Sequence, residues 1–205
     1  MKIIAHRANN NHQYKENTIN GILNCLDIDY IDGIEIDIRK TYDNYFVLHH
    51  NMTYNNHIIE NRCLKDLKLD ELNNVLKKIK SNKILLLDLK CEDLNYKKYA
   101  DNLIKLLKKY NKLNIYLCSF NYELSKYLKE KTNYKIGIFI STIINKNKKI
   151  NLFDFVAYNY KVYKNINKTT FIWTINRVEV ANKFKGKEIY IITDKAYKLI
   201  KNDWQ

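Results

Sequence analysis

The residues best suited to chemistry lie in the segment 33–51, GIEIDIRKTYDNYFVLHHN. Its first apolar stretch contains Glu35 and Asp37, and its second ends in His49 and His50. Alternation with a period of two places both carboxylates on one face of a strand, opposite the isoleucines. Carboxylate oxygens suit hard divalent cations, and imidazole exchanges protons near neutral pH. Two carboxylates beside a histidine therefore indicate a metal-assisted acid/base site.

A hairpin would bring these groups together, and its loop decides which histidine joins them. Asp43-Asn44 suits a two-residue loop, because both residue types tolerate positive φ. With that loop, the ladder sets His50 opposite Asp37 on the carboxylate face. A three-residue loop over residues 43–45 would place His49 there instead. We favour the two-residue loop and His50.

The rest of the chain must supply a scaffold for this hairpin. Apolar segments alternate with helical or connecting segments, and the hairpin return at 46–50 is extra. Helical patterns occur at 16–26, 96–110, 122–131 and 178–184, with a broken apolar stripe at 64–79. Eight strands are predicted, ending near His6, Asp37, Asp88, Ser119, Ile140, Tyr158, Thr174 and Thr193.

This alternation predicts a compact (β/α)8 TIM barrel of the α/β class, with a short antiparallel hairpin return after the second strand. The alternative is an open doubly wound sheet, which the lack of a glycine-rich phosphate loop disfavours. Barrel enzymes place their chemistry at the carboxyl ends of the strands. Polar residues occur at those predicted ends: His6, Arg7, Asp37, Asp88, Lys90, Ser119, Thr174, Thr193 and Asp194.

Length and composition limit the remaining possibilities. The 205 residues are expected to form one domain, residues 1–205, with a substantial core. The formal net charge is +14, but no nucleic-acid-binding motif accompanies it, so we predict no specific nucleic-acid partner. No apolar run reaches membrane-spanning length, and the segment 2–7 reads as a strand instead of a secretion signal. We therefore expect a cytoplasmic protein whose four scattered cysteines are free thiols.

Short motifs along nearly the whole chain resemble the glycerophosphodiester phosphodiesterase family. The motifs occur in the family's order: AHR at 5–7, ENT at 16–18, IEID at 34–37, Thr41-x-Asp43, HHN at 49–51, DLK at 88–90, SF at 119–120, WTIN at 173–176 and TD at 193–194. Each is weak alone, but nine in order are specific. Following the family pattern from Glu35 through Asp43 also places its second histidine at position 50.

The resemblance implies a barrel that hydrolyses glycerophosphodiesters to glycerol 3-phosphate and an alcohol. The implied general acid/base pair is His6 and His50. The implied metal ligands are Glu35, Asp37 and Asp88, and the implied substrate-binding residues are Arg7, Lys90 and Trp173. Mg²⁺ or Ca²⁺ would suit these hard oxygen ligands, as would Mn²⁺. Whether the nucleophile is the substrate's own glycerol hydroxyl or water stays open.

Four positions depart from the family pattern. Ala8 and Asn44 replace glycines, and Asn51 replaces an aspartate that would support the second imidazolium. Asp88 stands where the family usually has glutamate. The segment between His50 and the DLK motif is also short, which predicts an open mouth.

Two alternative functions follow from these observations. The first is a lysophospholipase D-type phosphodiesterase acting on membrane lysolipids, since the basic composition is compatible with weak contact with anionic membranes. The second is a non-catalytic phosphodiester-binding barrel, which the departures at Asn51 and Asp88 make conceivable.

Overall fold

A computed structural model describes residues 1–10, 12–92, 95–142 and 150–201. The strands are β1 (Lys2–Ala5), β2 (Gly33–Lys40), β3 (Phe46–Leu48), β4 (Thr53–Tyr54), β5 (His57–Ile58), β6 (Ile84–Leu89), β7 (Ile115–Ser119), β8 (Lys135–Ile140), β9 (Phe155–Asn159), β10 (Thr169–Trp173) and β11 (Ile189–Thr193). The helices are α1 (Ile19–Asp27), α2 (Leu72–Leu76), α3 (Tyr96–Leu107), α4 (Tyr122–Lys131), α5 (Val178–Ala181) and α6 (Ala196–Lys201).

Eight of these strands form a closed parallel barrel. Their order is β1, β2, β6, β7, β8, β9, β10 and β11, and pairing of β1 with both β2 and β11 closes the sheet. Every neighbouring pair in the barrel is parallel, whereas β3 adds to β2 as an antiparallel strand. The predicted TIM barrel with a hairpin return is therefore confirmed.

The helical segments match the predicted patterns to different extents, since α4 spans all of 122–131 whereas the pattern at 16–26 becomes helical only from Ile19. Thr18 is the N-cap residue of α1, and its hydroxyl accepts a hydrogen bond from Gly21 N. The apolar stripe at 64–79 yields a single short helix, α2, preceded by a one-turn 3₁₀ helix at Leu64–Asp66. Across the described part of the chain, no helix combines the length and apolar character needed to cross a membrane.

The core has two layers, as the strand alternation requires. Inside the barrel, a small cluster of aliphatic and aromatic side chains includes Ile4, Leu86, Phe155, Phe171 and Ile192. Outside, a larger cluster lies between the strands and the helices. Because alternate residues point inward, the inner cluster fills the barrel up to the level at which polar residues replace apolar ones.

Gly137 makes room for one of the largest inner side chains. A Cβ atom at this position would lie 2.2 Å from the Phe155 ring. We expect Gly137→Ala to destabilise the protein by about 1–3 kcal/mol through overpacking, measured by chemical denaturation. Phe155→Leu in the same chain should recover part of that loss. Equal stability of Gly137→Ala and wild type would contradict this account of the inner core.

The predicted hairpin register is wrong. Lys40 pairs with Phe46 and Ile38 pairs with Leu48, so the loop comprises the three residues 42–44 and not Asp43-Asn44 alone. Thr41 N donates to Tyr45 O at 2.8 Å, and Asn44 adopts φ 65°. A left-handed residue at the end of a three-residue loop matches the twist of a hairpin, which explains why this loop forms.

Candidate active site

A cavity of about 140 Å³ opens at the carboxyl end of the barrel. All eight site residues predicted from the sequence line it: His6, Arg7, Glu35, Asp37, His50, Asp88, Lys90 and Trp173. Phe120, Phe139, Thr174 and Ile192 complete the lining. They converge because the carboxyl ends of parallel strands meet at one end of the barrel.

A larger cavity, about 790 Å³, lies at the amino-terminal end of the barrel. Lysine, tyrosine and asparagine make up half of its lining residues, and within that lining Glu188 is the one carboxylate and histidine is absent. Size alone therefore does not identify the site of chemistry. The smaller cavity holds the facing carboxylates and imidazoles.

Three buried carboxylates form the floor of the smaller cavity. Asp37 on β2 and Asp88 on β6 pair directly in register, and Glu35 lies two residues before Asp37 on the same face. One oxygen from each lies within 4.8 Å of the others. Burial, together with the charge of Asp37, raises the pKa of Glu35 to about 8, and burial raises that of Asp88 to about 7.

Neighbouring groups hold these carboxylates in place. Asn17 Nδ2 donates to Asp37 Oδ2 at 2.7 Å, and Arg7 N donates to Glu35 Oε2 at 2.8 Å. Burial opposes ionisation of Asp37, but the Lys90 ammonium and the Asn17 hydrogen bond bring its pKa below the ordinary value. The cluster therefore contains carboxylates of opposite titration behaviour in one site.

The donor set fits a hard divalent cation. Asp88 Oδ1 is buried and has no hydrogen-bond partner, an arrangement that costs free energy unless a ligand satisfies the oxygen. The three carboxylates supply only oxygen donors, and Mg²⁺ and Ca²⁺ prefer oxygen to softer ligand atoms such as sulfur. The side chain of Asp88 reaches the cluster although it is shorter than glutamate.

His6 is supported by a carboxylate from the other end of the chain. His6 Nδ1 lies 2.7 Å from Asp194 Oδ1, and Asn176 Nδ2 donates to Asp194 Oδ2 at 2.7 Å. Burial lowers the pKa of His6, but the hydrogen bond to Asp194 and the charges of Glu35 and Asp194 raise it overall. The ring is therefore biased towards the imidazolium form.

We expect Asp194→Asn to lower the pKa of His6, because the amide keeps the shape of the carboxylate but carries no charge. The measurement is a titration of the His6 ring by NMR in the presence of EDTA. Asp154→Asn, which removes a carboxylate paired with Lys129 instead, should leave that titration unchanged. An unchanged His6 pKa in Asp194→Asn would contradict the electrostatic role of Asp194.

The second histidine that lines the cavity is His50, although the loop register from which it was predicted is wrong. The ladder ends at Leu48, and His49 N donates to Asp37 O at 3.1 Å. The chain then bends, so that His50 lines the cavity with its Nδ1 3.0 Å from Asn51 Oδ1. The His49 ring lies outside, with Nε2 3.1 Å from Thr53 O and its pKa lowered by burial.

Cationic and aromatic side chains form the remaining walls. Lys90 Nζ lies 2.6 Å from Asp88 Oδ2 and 3.0 Å from Asp37 Oδ1, and Arg7 Nε lies 3.6 Å from Asp37 Oδ2. Phe120 stacks on Phe139 with ring centroids 5.0 Å apart, and Trp173 meets both rings nearly at right angles. The cavity therefore has a charged side and an aromatic side.

Several residues of the site received no role in the sequence analysis. They are Asn17, Asn176 and Asp194, which support charged groups, and Phe120 and Phe139, which form the aromatic side. The motif fragments ENT, WTIN, TD and SF contain four of them. Their presence in a motif was therefore the available signal, whereas their partners required the fold.

The backbone conformation at Ala8 shows why a glycine would suit this position. Ala8 adopts φ 50° directly after Arg7 at φ 52°, in the left-handed region that favours glycine. The chain turns sharply here, which lets Arg7 N point at Glu35. Such backbone strain occurs where the surrounding contacts fix a functional group.

Comparisons with known proteins agree with this geometry. Residues 6–89 match the model of the glycerophosphoryl diester phosphodiesterase family. That segment includes the three carboxylates and both histidines. A search of curated proteins found no match.

The whole chain also resembles solved structures. A glycerophosphodiester phosphodiesterase from Parabacteroides distasonis superposes with a TM-score of 0.85 at 21% identity, covering 100% of this chain and 98% of the other. A phosphodiesterase from Oleispira antarctica, solved with the product sn-glycerol-3-phosphate, gives a TM-score of 0.85 at 20% identity over 100% and 97%. A glycerophosphodiester phosphodiesterase from Thermotoga maritima gives 0.77 at 20% over 98% and 97%.

These solved structures establish the fold, and the family model covers the segment that supplies six of the eight predicted site residues. The chain therefore resembles the glycerophosphoryl diester phosphodiesterase family over residues 6–89 and shares the fold of solved phosphodiesterases over its whole length.

Proposed function

We propose that this protein hydrolyses glycerophosphodiesters to glycerol 3-phosphate and an alcohol, with a divalent cation and a pair of histidines. The observation that supports this most directly is the content of one small cavity. Two imidazoles, each with its own supporting group, flank three buried carboxylates that could hold Mg²⁺ or Ca²⁺. Phosphodiester hydrolysis needs both proton transfer and charge neutralisation, and this arrangement offers both.

The charged side of the cavity suits a phosphate. Glu35, Asp37 and Asp88 would hold the cation, which would neutralise phosphate oxygens and lower the pKa of a bound hydroxyl. Arg7 and Lys90 add positive charge beside the same carboxylates. Because Glu35, Asp37 and Asp88 are buried, charges beside them act on a phosphate more strongly than they would in water.

The two histidines differ in ways that indicate different roles. Asp194 favours a proton on His6, so His6 is suited to protonate the leaving alcohol. Asn51 Oδ1 accepts a hydrogen bond only if His50 Nδ1 carries a proton. His50 Nε2 then has a free lone pair and is suited to take the proton of the nucleophile. This nucleophile is water or a hydroxyl of the substrate.

The aromatic side of the cavity suits the part of the substrate that does not react. Trp173 Nε1 donates to Ala157 O at 2.9 Å, which fixes the orientation of the indole. Phe120 is 45% exposed at the rim, so apolar atoms of a substrate could reach it from solvent. This wall, which includes Trp173, would exclude water from one side of the bound substrate.

The test is the release of glycerol 3-phosphate from glycerophosphocholine with Mg²⁺ or Ca²⁺, with EDTA as control. We expect turnover that depends on the added cation. Absence of turnover on glycerophosphocholine, glycerophosphoethanolamine and glycerophosphoglycerol with Mg²⁺, Ca²⁺ and Mn²⁺ would refute the proposal. Activity restricted to lysophosphatidylcholine in anionic vesicles would instead support a phosphodiesterase of membrane lysolipids.

A further inference from the structure

The buried guanidinium of Arg39 makes a set of contacts that the proposed chemistry does not use directly. Arg39 follows Asp37 by two residues on β2 and is 4% exposed. Its side chain does not line the cavity and reaches the loop that contains the second histidine. Arg39 Nε and Nη2 both donate to His50 O, at 3.0 Å and 2.9 Å.

The same guanidinium also holds the loop that follows β6. Arg39 Nη1 donates to Glu92 Oε2 at 2.9 Å, and Nη2 donates to Glu92 Oε1 at 3.1 Å. Glu92 lies two residues after Lys90, which contacts the carboxylates. Arg39 therefore joins the segment of His50 to the segment of Lys90 through four hydrogen bonds.

We propose that Arg39, oriented by Glu92, is a positioning residue that fixes the His50 backbone so that its imidazole faces the reacting phosphate. This inference rests on the proposed function and adds a residue to its machinery. The hairpin ladder ends at Leu48, so strand pairing does not fix residue 50. The guanidinium of Arg39, which lies on β2, instead holds the backbone of residue 50 through its hydrogen bonds to His50 O.

The geometry requires arginine in particular. A guanidinium is planar and has five N–H donors in a fixed arrangement, so it can bind a carbonyl and a carboxylate at once. A lysine ammonium keeps the charge but cannot reproduce both the pair of hydrogen bonds that converge on His50 O and the bidentate pair to Glu92. Arg39→Lys therefore separates positioning by hydrogen bonds from the mere presence of a positive charge.

We expect Arg39→Lys to lower kcat about 10- to 100-fold with little change in KM, because a displaced general base loses transition-state contacts more than substrate binding. Glu92→Gln, at a half-exposed position, should fold normally and lower kcat about three- to fivefold. Lys129→Gln removes an ion pair on the far side of the fold and serves as the matched control.

A second readout does not depend on activity. Amide hydrogen exchange of residues 49–53 should become faster in Arg39→Lys and in Glu92→Gln and stay unchanged in Lys129→Gln. Unchanged exchange and unchanged kcat in both site variants would overturn the inference. If the wild type shows no turnover, the proposed function fails, and hydrogen exchange at 49–53 still decides whether Arg39 holds this loop.

Discussion

A His50→Ala variant is expected to turn over glycerophosphodiesters about 10²- to 10⁴-fold more slowly than the wild type, because it loses a proton acceptor at the reacting phosphate. His50 lines the cavity and lies beyond the end of β3 at Leu48. Its removal leaves the carboxylate cluster intact. The measurement is kcat for glycerol 3-phosphate release at saturating Mg²⁺.

His49→Ala is the matched control for this experiment. His49 is adjacent in sequence and has its ring at Thr53 O and edge-on to Tyr54, outside the cavity. We expect it to retain most of the activity. Loss of activity in His49→Ala with full activity in His50→Ala would show that the hairpin presents the opposite histidine to the substrate.

Divalent cations should stabilise the protein, and the effect should grow as the pH rises from about 5.5 to 8.5. At one hundred times its dissociation constant, a ligand adds about 2.7 kcal/mol, which raises Tm by about 5–10 °C in a domain of this size. Below the raised pKa values of Glu35 and Asp88, protons compete with the cation for the same oxygens. Thermal unfolding with Mg²⁺ or with EDTA across this pH range measures the difference.

The sign of this effect follows from the direction of the pKa shifts. The pKa of Glu35 is about 8 in the folded state against an ordinary 4.5, and that of Asp88 is about 7 against 3.8. Between the ordinary and the raised values, the folded protein binds more protons than the unfolded chain. The cation-free protein therefore becomes less stable as the pH rises from the ordinary to the raised pKa values of these two carboxyl groups. Their contribution to the free energy of unfolding is fully present only below the ordinary pKa values.

Two variants distinguish the cluster from general surface charge. Asp37→Asn removes a proposed ligand and should abolish most of the Mg²⁺-dependent rise in Tm, together with activity. Asp154→Asn removes a carboxylate elsewhere and should keep both. A rise in Tm that does not change with pH, or one that persists in Asp37→Asn, would contradict cation binding at these three carboxylates.

Parts of the site could be predicted because they depend on local patterns. Period-two alternation in β2 correctly assigns Glu35 and Asp37 to the inner face, and the apolar run of β6 ends with Asp88 on the same level. Once the strands are parallel and the barrel is closed, their carboxyl ends must meet. Family spacing supported His50 where counting along the ladder used the wrong loop.

Other features depend on contacts between distant parts of the chain. His6 and Asp194 are separated by 188 positions, and only closure of the barrel between β1 and β11 brings them together. The bend after Leu48 and the hold of Arg39 on His50 O also depend on the packing of separate loops. The residue pattern within one segment cannot predict contacts between residues so far apart in the sequence.

The sequence by itself determined the barrel, the inner position of the carboxylates and the identity of the residues that gather at its carboxyl end. These follow from alternation, segment order and motif order, which act over a few residues or along the whole chain. Only the tertiary structure decided which group supports each imidazole, how the hairpin closes and how the chain bends after Leu48 to bring His50 to the cavity. Side-chain partners and loop register depend on the exact approach of distant backbones, and that approach is fixed only when the core has packed.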